Sequence, residues 1–131
     1  MLVQNSTMER IAGFIKHYFG WRNWSVLHYN SVTENVFLIF YIALRDRLYS
    51  VSFIEDFFIF IAFSMFSTTY GYLINDLADK ELDALHGKDN TFKNDSVWKA
   101  GIIVVVFMVL SIIAGMKFFE SRLFLPLWLC W

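Results

Sequence analysis

Three apolar stretches of ten residues or more carry no charge: residues 35–44, 57–74 and 100–116. An α-helix rises about 1.5 Å per residue, so about 20 residues cross the roughly 30 Å hydrocarbon layer of a bilayer. Extended to the polar residues that bound them, the three runs predict spans over 25–44, 53–75 and 100–119. Arg45-Asp46-Arg47 closes the first, and Lys117, Glu120 and Arg122 close the last. Ser52-Phe53-Ile54-Glu55 fits a capping box, which starts the second helix. Asn94, Asp95 and Ser96 are candidate caps for the third. The first span is contested, because Ser31-Val32-Thr33-Glu34 also fits a capping box. A helix begun there is too short to cross unless it runs past Arg45. The alternative, adopted here, is a full span in which Glu34 faces protein or a polar cavity, since a carboxylate in hydrocarbon is costly.

Two further segments carry apolar residues. Ile11, Phe14, Ile15, Tyr18 and Phe19 recur at helical spacing, while Glu9, Arg10, Lys16 and His17 fall mostly elsewhere. That pattern predicts an amphipathic helix over 8–20 lying on a membrane surface; the plainer alternative is an ordinary N-terminal helix or a disordered leader. Residues 123–131 are apolar again but too few to cross as a helix. Either they dip into the bilayer, or the chain is the front part of a longer protein, which is the expectation taken forward.

Composition sharpens the class. The 131 residues are 57% hydrophobic and 20% aromatic with a single proline, which indicates an all-α, polytopic membrane bundle rather than a soluble domain. A formal net charge of -1 offers no electrostatic footprint for nucleic acid. The lone Cys130 excludes an intrachain disulfide. The first twenty-odd residues lack the uninterrupted apolar core of a signal peptide. With three spans, Arg10, Lys16, Arg22, Lys80, Lys88, Lys93 and Lys99 share one side, against Arg45, Arg47, Lys117 and Arg122 on the other. The side richer in positive charge is cytoplasmic by the usual rule, with Trp21, Trp24 and Trp98 forming part of an interfacial belt there. Within the second span, Gly71 would allow close helix packing. Ser64, Ser67, Thr68 and Thr69 would bond either to neighbouring helices or back to their own.

Directly behind the uncharged run 57–74 comes Asn75-Asp76-Leu77-Ala78-Asp79-Lys80-Glu81-Leu82-Asp83. Aspartates at i, i+3 and i+7 fall within about 40–60° of arc on a helix. Three like charges on one stripe repel, and a cation between them would relieve the repulsion; oxygen ligands of this kind suit Mg²⁺. The plainer reading is a solvated helix end in which Asp76 pairs with Lys80 at i,i+4. A polar loop follows over 84–95, with turn chemistry at His86-Gly87 and Asp89-Asn90. Lys88 and Lys93 would neutralise phosphate oxygens or serve as ordinary solvated lysines. His86 has no partner at ligand spacing and reads as structural or exposed.

Asn75-Asp76-x-x-Asp79-x-x-x-Asp83, led by Tyr70-Gly71-Tyr72-Leu73-Ile74, resembles the first aspartate-rich motif of the UbiA superfamily of intramembrane prenyltransferases. The likeness covers roughly residues 57–88; elsewhere it is one of hydropathy. His86-Gly87-Lys88 is similar to a His-Pro-x-Lys-like run found after the aspartates in some branches, without the proline or the arginine that follows. The resemblance implies that this is the N-terminal part of a nine-helix fold whose second aspartate-rich motif is absent from these residues. It also implies an Mg²⁺-dependent transferase in which Asp76, Asp79 and Asp83 are the metal-holding catalytic residues. Asn75 would support them, and Lys88 and Lys93 would bind substrate.

Three function classes follow. In the first, a prenyl group passes from a prenyl diphosphate to an acceptor. In the second, a polyprenyl phosphate attacks phosphoribosyl diphosphate, with the same metal-assisted loss of diphosphate. In the third, the chain is a non-enzymatic membrane scaffold or cation-binding subunit whose aspartates merely finish a helix. A soluble isoprenoid synthase is opposed by the membrane-length uncharged runs.

Overall fold

The computed structural model describes residues 2–18 and 33–119, with backbone alone for 2–6 and 34. Among these residues five α-helices follow one another: α1 (Leu2–Tyr18), α2 (Glu34–Asp46), α3 (Val51–Ala78), α4 (Lys80–Leu85) and α5 (Val97–Gly115), the last ending in a 3₁₀ turn over Met116–Phe118. No strand occurs among the described residues.

α3 has 28 residues, and α5 with its 3₁₀ turn has 22; both are long and apolar enough to cross a membrane. At about 1.5 Å per residue they reach about 42 and 33 Å. Only 28% and 22% of their most apolar windows are buried. The outward surface includes Phe58, Ile102, Val105, Val106, Val109 and Ile113. In water so much exposed hydrocarbon would be unusual.

Buried hydroxyls lie among the apolar side chains between the helices. Ser64, Ser67, Thr68 and Ser111 are buried. Asn35 on α2 donates to Ser64 Oγ at 2.8 Å, and the hydroxyls of Ser67 and Ser111 join α3 to α5 at 2.5 Å. Thr69 instead bonds back to Met65 O. Both fates expected for these hydroxyls therefore occur.

α3 and α5 form the main helix–helix interface. The α5 side is the stripe Ala100, Val104, Phe107, Ser111 and Gly115, all buried, at the three-and-four spacing of one helix face. Replacing Ser111 with Ala should cost under about 1 kcal/mol, as interhelical hydrogen bonds in membranes usually do. Leucine at the same fully buried position should cost about 1–3 kcal/mol by forcing the helices apart. Thermal unfolding of both variants in detergent reads the difference.

The helix starts are instructive. Ser96 caps α5 by accepting from Lys99 N, one of the three residues expected. The box expected at Ser52 is not the cap of α3. That role falls to Ser50, whose extended backbone lets its hydroxyl accept from Phe53 N at 3.1 Å. Glu55 does not reach back; with Asp56 it pairs with Lys117, at 3.3 and 2.5 Å, at the far end of the α3–α5 pair. Gly71 is not a close-packing site among the described residues, since a side chain there would meet nothing within 4 Å.

α2 begins at Glu34 and has 13 residues, about 20 Å, so as described it falls short of a span. Residues 25–32, the Glu34 side chain, Trp21, Trp24 and segment 123–131 lie outside what is described. The spans expected over 53–75 and 100–119 correspond to α3 and to α5 with its 3₁₀ turn.

The acidic helix exit as candidate functional site

Leu73 and Asp76 lie one turn apart on α3 and are 2% and 8% exposed. Asp76 thus occupies the last turn of the stripe that faces the core, which is why a carboxylate is buried there. α3 ends at Ala78, where Asp79 leaves helical geometry (φ -91°, ψ 4°). The ladder nevertheless passes through the bend, with Asp79 N bonded to Asn75 O at 2.9 Å and Asp83 N to Asp79 O at 2.8 Å.

α4 is closed by a Schellman motif. Gly87 adopts φ 65°, Gly87 N donates to Ala84 O, and Lys88 N donates to Asp83 O at 2.9 Å. A left-handed residue after a helix reverses the chain and satisfies its last carbonyls, and glycine takes that conformation without strain. This is the turn expected at His86-Gly87, and it sends residues 88–95 back toward α3.

The returning loop clamps two of the three aspartates. Asn90 Nδ2 donates to Asp76 O at 2.7 Å and to Asp83 Oδ2 at 2.9 Å. Thr91 N donates to Asp76 Oδ2 at 3.0 Å. Asn90 Oδ1 in turn accepts from Phe92 N at 2.9 Å. Phe92, 0% exposed, plugs the core formed with Tyr18, Leu73, Ala100, Val104 and Phe107.

The aspartates therefore differ in environment. Asp76 is buried, Asp83 half-buried and Asp79 exposed, and the Asp79 side chain makes no capping bond. Among the described residues, no three His, Cys, Asp or Glu side chains converge closely enough to hold a metal ion. Mg²⁺ is commonly bound through one or two carboxylates plus substrate phosphates. Asp76 and Asp83 match that donor chemistry, and the Thr91 hydroxyl beside them is buried with no hydrogen-bond partner.

The other expected site residues lie around the clamp. Asn75, Lys88 and Lys93 are exposed. His86 is exposed and bonds through Nδ1 to Leu82 O at 2.8 Å, a local contact of the kind expected. The Asp76–Lys80 ion pair is not formed, because the Lys80 ammonium reaches across to Asp95 O. Asp95 is a second junction: its carboxylate accepts from Lys99 Nζ at 2.5 Å and from the Tyr18 hydroxyl at 3.4 Å. Burial, reinforced by the Asp95 charge and opposed by Lys99, raises the Tyr18 phenol above its ordinary range.

Sequence reasoning passed over Asn90, Thr91, Phe92 and Tyr18 as members of this site. The available signal was Phe92, a lone aromatic within a twelve-residue polar run. No protein-family model, curated protein or solved structure matches the chain.

Proposed function

We propose that the chain is an integral membrane protein that binds a diphosphate-bearing isoprenoid-pathway substrate through Mg²⁺ at the exit of α3, as part of a prenyl-transfer reaction. The observation that carries this reading is the clamp itself. Asp76 and Asp83 are gathered by one asparagine at the mouth of a membrane-length apolar helix, with Asp79 exposed beside them.

Asp76 and Asp83 would hold the metal, and Asp79 would complete its shell once a phosphate arrives. Bound there, Mg²⁺ would stabilise the charge that develops on diphosphate as the C–O bond breaks. Asn75 is adjacent in sequence and exposed, available to the same ligand. Lys88 and Lys93, exposed on the returning loop, supply positive charge for phosphate oxygens. The apolar α3 and α5 would shield an isoprenoid tail from water. Phosphoribosyl diphosphate is the alternative donor, with a polyprenyl phosphate as nucleophile. In either case the excess of positive charge in the short loops, counted for three spans, supports a site on the cytoplasmic face.

A second reading has its own support. Asp76 and Asp83 already spend oxygens on the loop, as they would in a non-enzymatic scaffold whose aspartates only fasten a hairpin. Asp79 separates the two readings, because it is exposed and outside the clamp. In detergent, Asp79→Asn should leave the thermal midpoint unchanged and weaken Mg²⁺-dependent diphosphate binding at least tenfold by calorimetry, about 1.4 kcal/mol. A wild-type chain that binds no Mg²⁺–diphosphate selects the scaffold. Diphosphate release with phosphoribosyl diphosphate, but not with a prenyl diphosphate, selects the alternative donor.

A further inference from the structure

α1 presents an uncovered apolar stripe whose direction is fixed at one end. Residues 7–17 are exposed, and Tyr18 alone in α1 is buried among the residues whose side chains are described. Met8, Ile11, Phe14 and Ile15 are 71%, 53%, 48% and 42% exposed. At about 100° per residue, these four and Tyr18 fall within about 120° of arc. Glu9, Arg10, Gly13, Lys16 and His17 occupy the rest of the circumference.

Tyr18 shows which way the stripe faces. Its ring packs against Phe14 and Phe92, with centroids 4.7 and 6.3 Å away, and it belongs to the core cluster with Leu73, Ala100, Val104 and Phe107. Phe92 lies in the loop, Leu73 and Ala100 lie in the ends of α3 and α5 nearest to it, and Val104 and Phe107 continue the cluster toward mid-helix. A stripe sharing the azimuth of Tyr18 is therefore turned toward the zone where the two membrane-length helices end. Trp98, 80% exposed in the first turn of α5, marks the same level with an interfacial residue type.

We propose that Met8, Ile11, Phe14 and Ile15 dock α1 flat into the headgroup–acyl boundary of the bilayer that α3 and α5 cross. Docked there, α1 presses Tyr18 onto Phe92 and Asp95 and so holds down the loop that carries Asn90 and Thr91. An amphipathic helix of this kind buries its apolar face about 5–10 Å below the headgroups. Arg10 and Lys16 remain on the wet side, where lipid phosphates accept them. The inference needs the membrane reading but is independent of metal or diphosphate binding.

The test uses the full chain in phosphatidylcholine vesicles, with Cys130→Ser as background and a single environment-sensitive fluorophore at Ile11→Cys or Glu9→Cys. Both positions are exposed, so labelling leaves the core intact. Lipids carrying a shallow nitroxide should quench the probe at residue 11 at least threefold more than at residue 9. Equal quenching at the two positions overturns the proposal, as does failure of the chain to partition into vesicles. Energy transfer between labelled chains that rises with the protein-to-lipid ratio, without lipid quenching, makes a second copy the occupant and overturns it too. Loss of Mg²⁺–diphosphate binding leaves this result untouched, so the two proposals fail separately.

Discussion

Phe92→Ala is expected to destabilise the chain by about 3–5 kcal/mol, the range for emptying a phenylalanine site in a core. Phe92 is completely buried, and its backbone N–H is held by the Asn90 side chain. Removing the ring opens a void among Tyr18, Leu73, Ala100 and Val104 and withdraws the apolar anchor of the loop. The hydrogen bonds from Asn90 and Thr91 to Asp76 would then be left to hold residues 88–95 unaided. Amide exchange over 88–95 should accelerate by more than a hundredfold, while the middle of α5 changes far less. Phe92→Leu, which restores most of the volume, should recover most of the loss. Unchanged exchange in Phe92→Ala would mean that the loop is pinned by the polar clamp alone.

That prediction rests on a residue the sequence did not single out, and the reason is physical. An uncharged apolar run of membrane length is legible without any tertiary information. α3 and α5 were legible for that cause, with boundaries off by a few residues, at α3 because the cap could fall on either of two serines. A single aromatic in a polar run has no period. Whether Phe92 is buried depends on the Gly87 turn bringing the loop back, which is a tertiary event. The same holds for Asn90: asparagine in Asp89-Asn90 reads as turn chemistry, yet here its amide spans two elements.

The acidic stripe shows a related limit. Angular spacing placed three aspartates on one face, as if α3 continued unbroken. The bend at Asp79 and the return of the loop give them three different environments. Helical spacing supplied their proximity; the loop decided which oxygens were taken. Lys80 was likewise paired by spacing with Asp76, but a nearer carbonyl, that of Asp95, drew its ammonium away.

Asp76 is where the structural and chemical roles of the site can be pulled apart, and two substitutions do it together. Asp76→Ala leaves the buried Thr91 N–H without its acceptor, which should cost about 1–3 kcal/mol. Asp76→Asn can still offer a side-chain oxygen to Thr91, so its loss should stay under about 1 kcal/mol, and amide exchange at residue 91 should remain slow. The asparagine offers only a neutral oxygen in place of the charged carboxylate through which Mg²⁺ is commonly bound. If the clamp serves a metal, Asp76→Asn should lower Mg²⁺–diphosphate affinity about a hundredfold, about 2.7 kcal/mol, with the fold largely intact. If the aspartates only fasten the hairpin, Asp76→Asn should be nearly silent by every measure and Asp76→Ala should show a stability loss alone. A stable Asp76→Asn chain that binds Mg²⁺ and diphosphate as tightly as wild type would therefore remove the metal from the site while leaving the hairpin clamp standing.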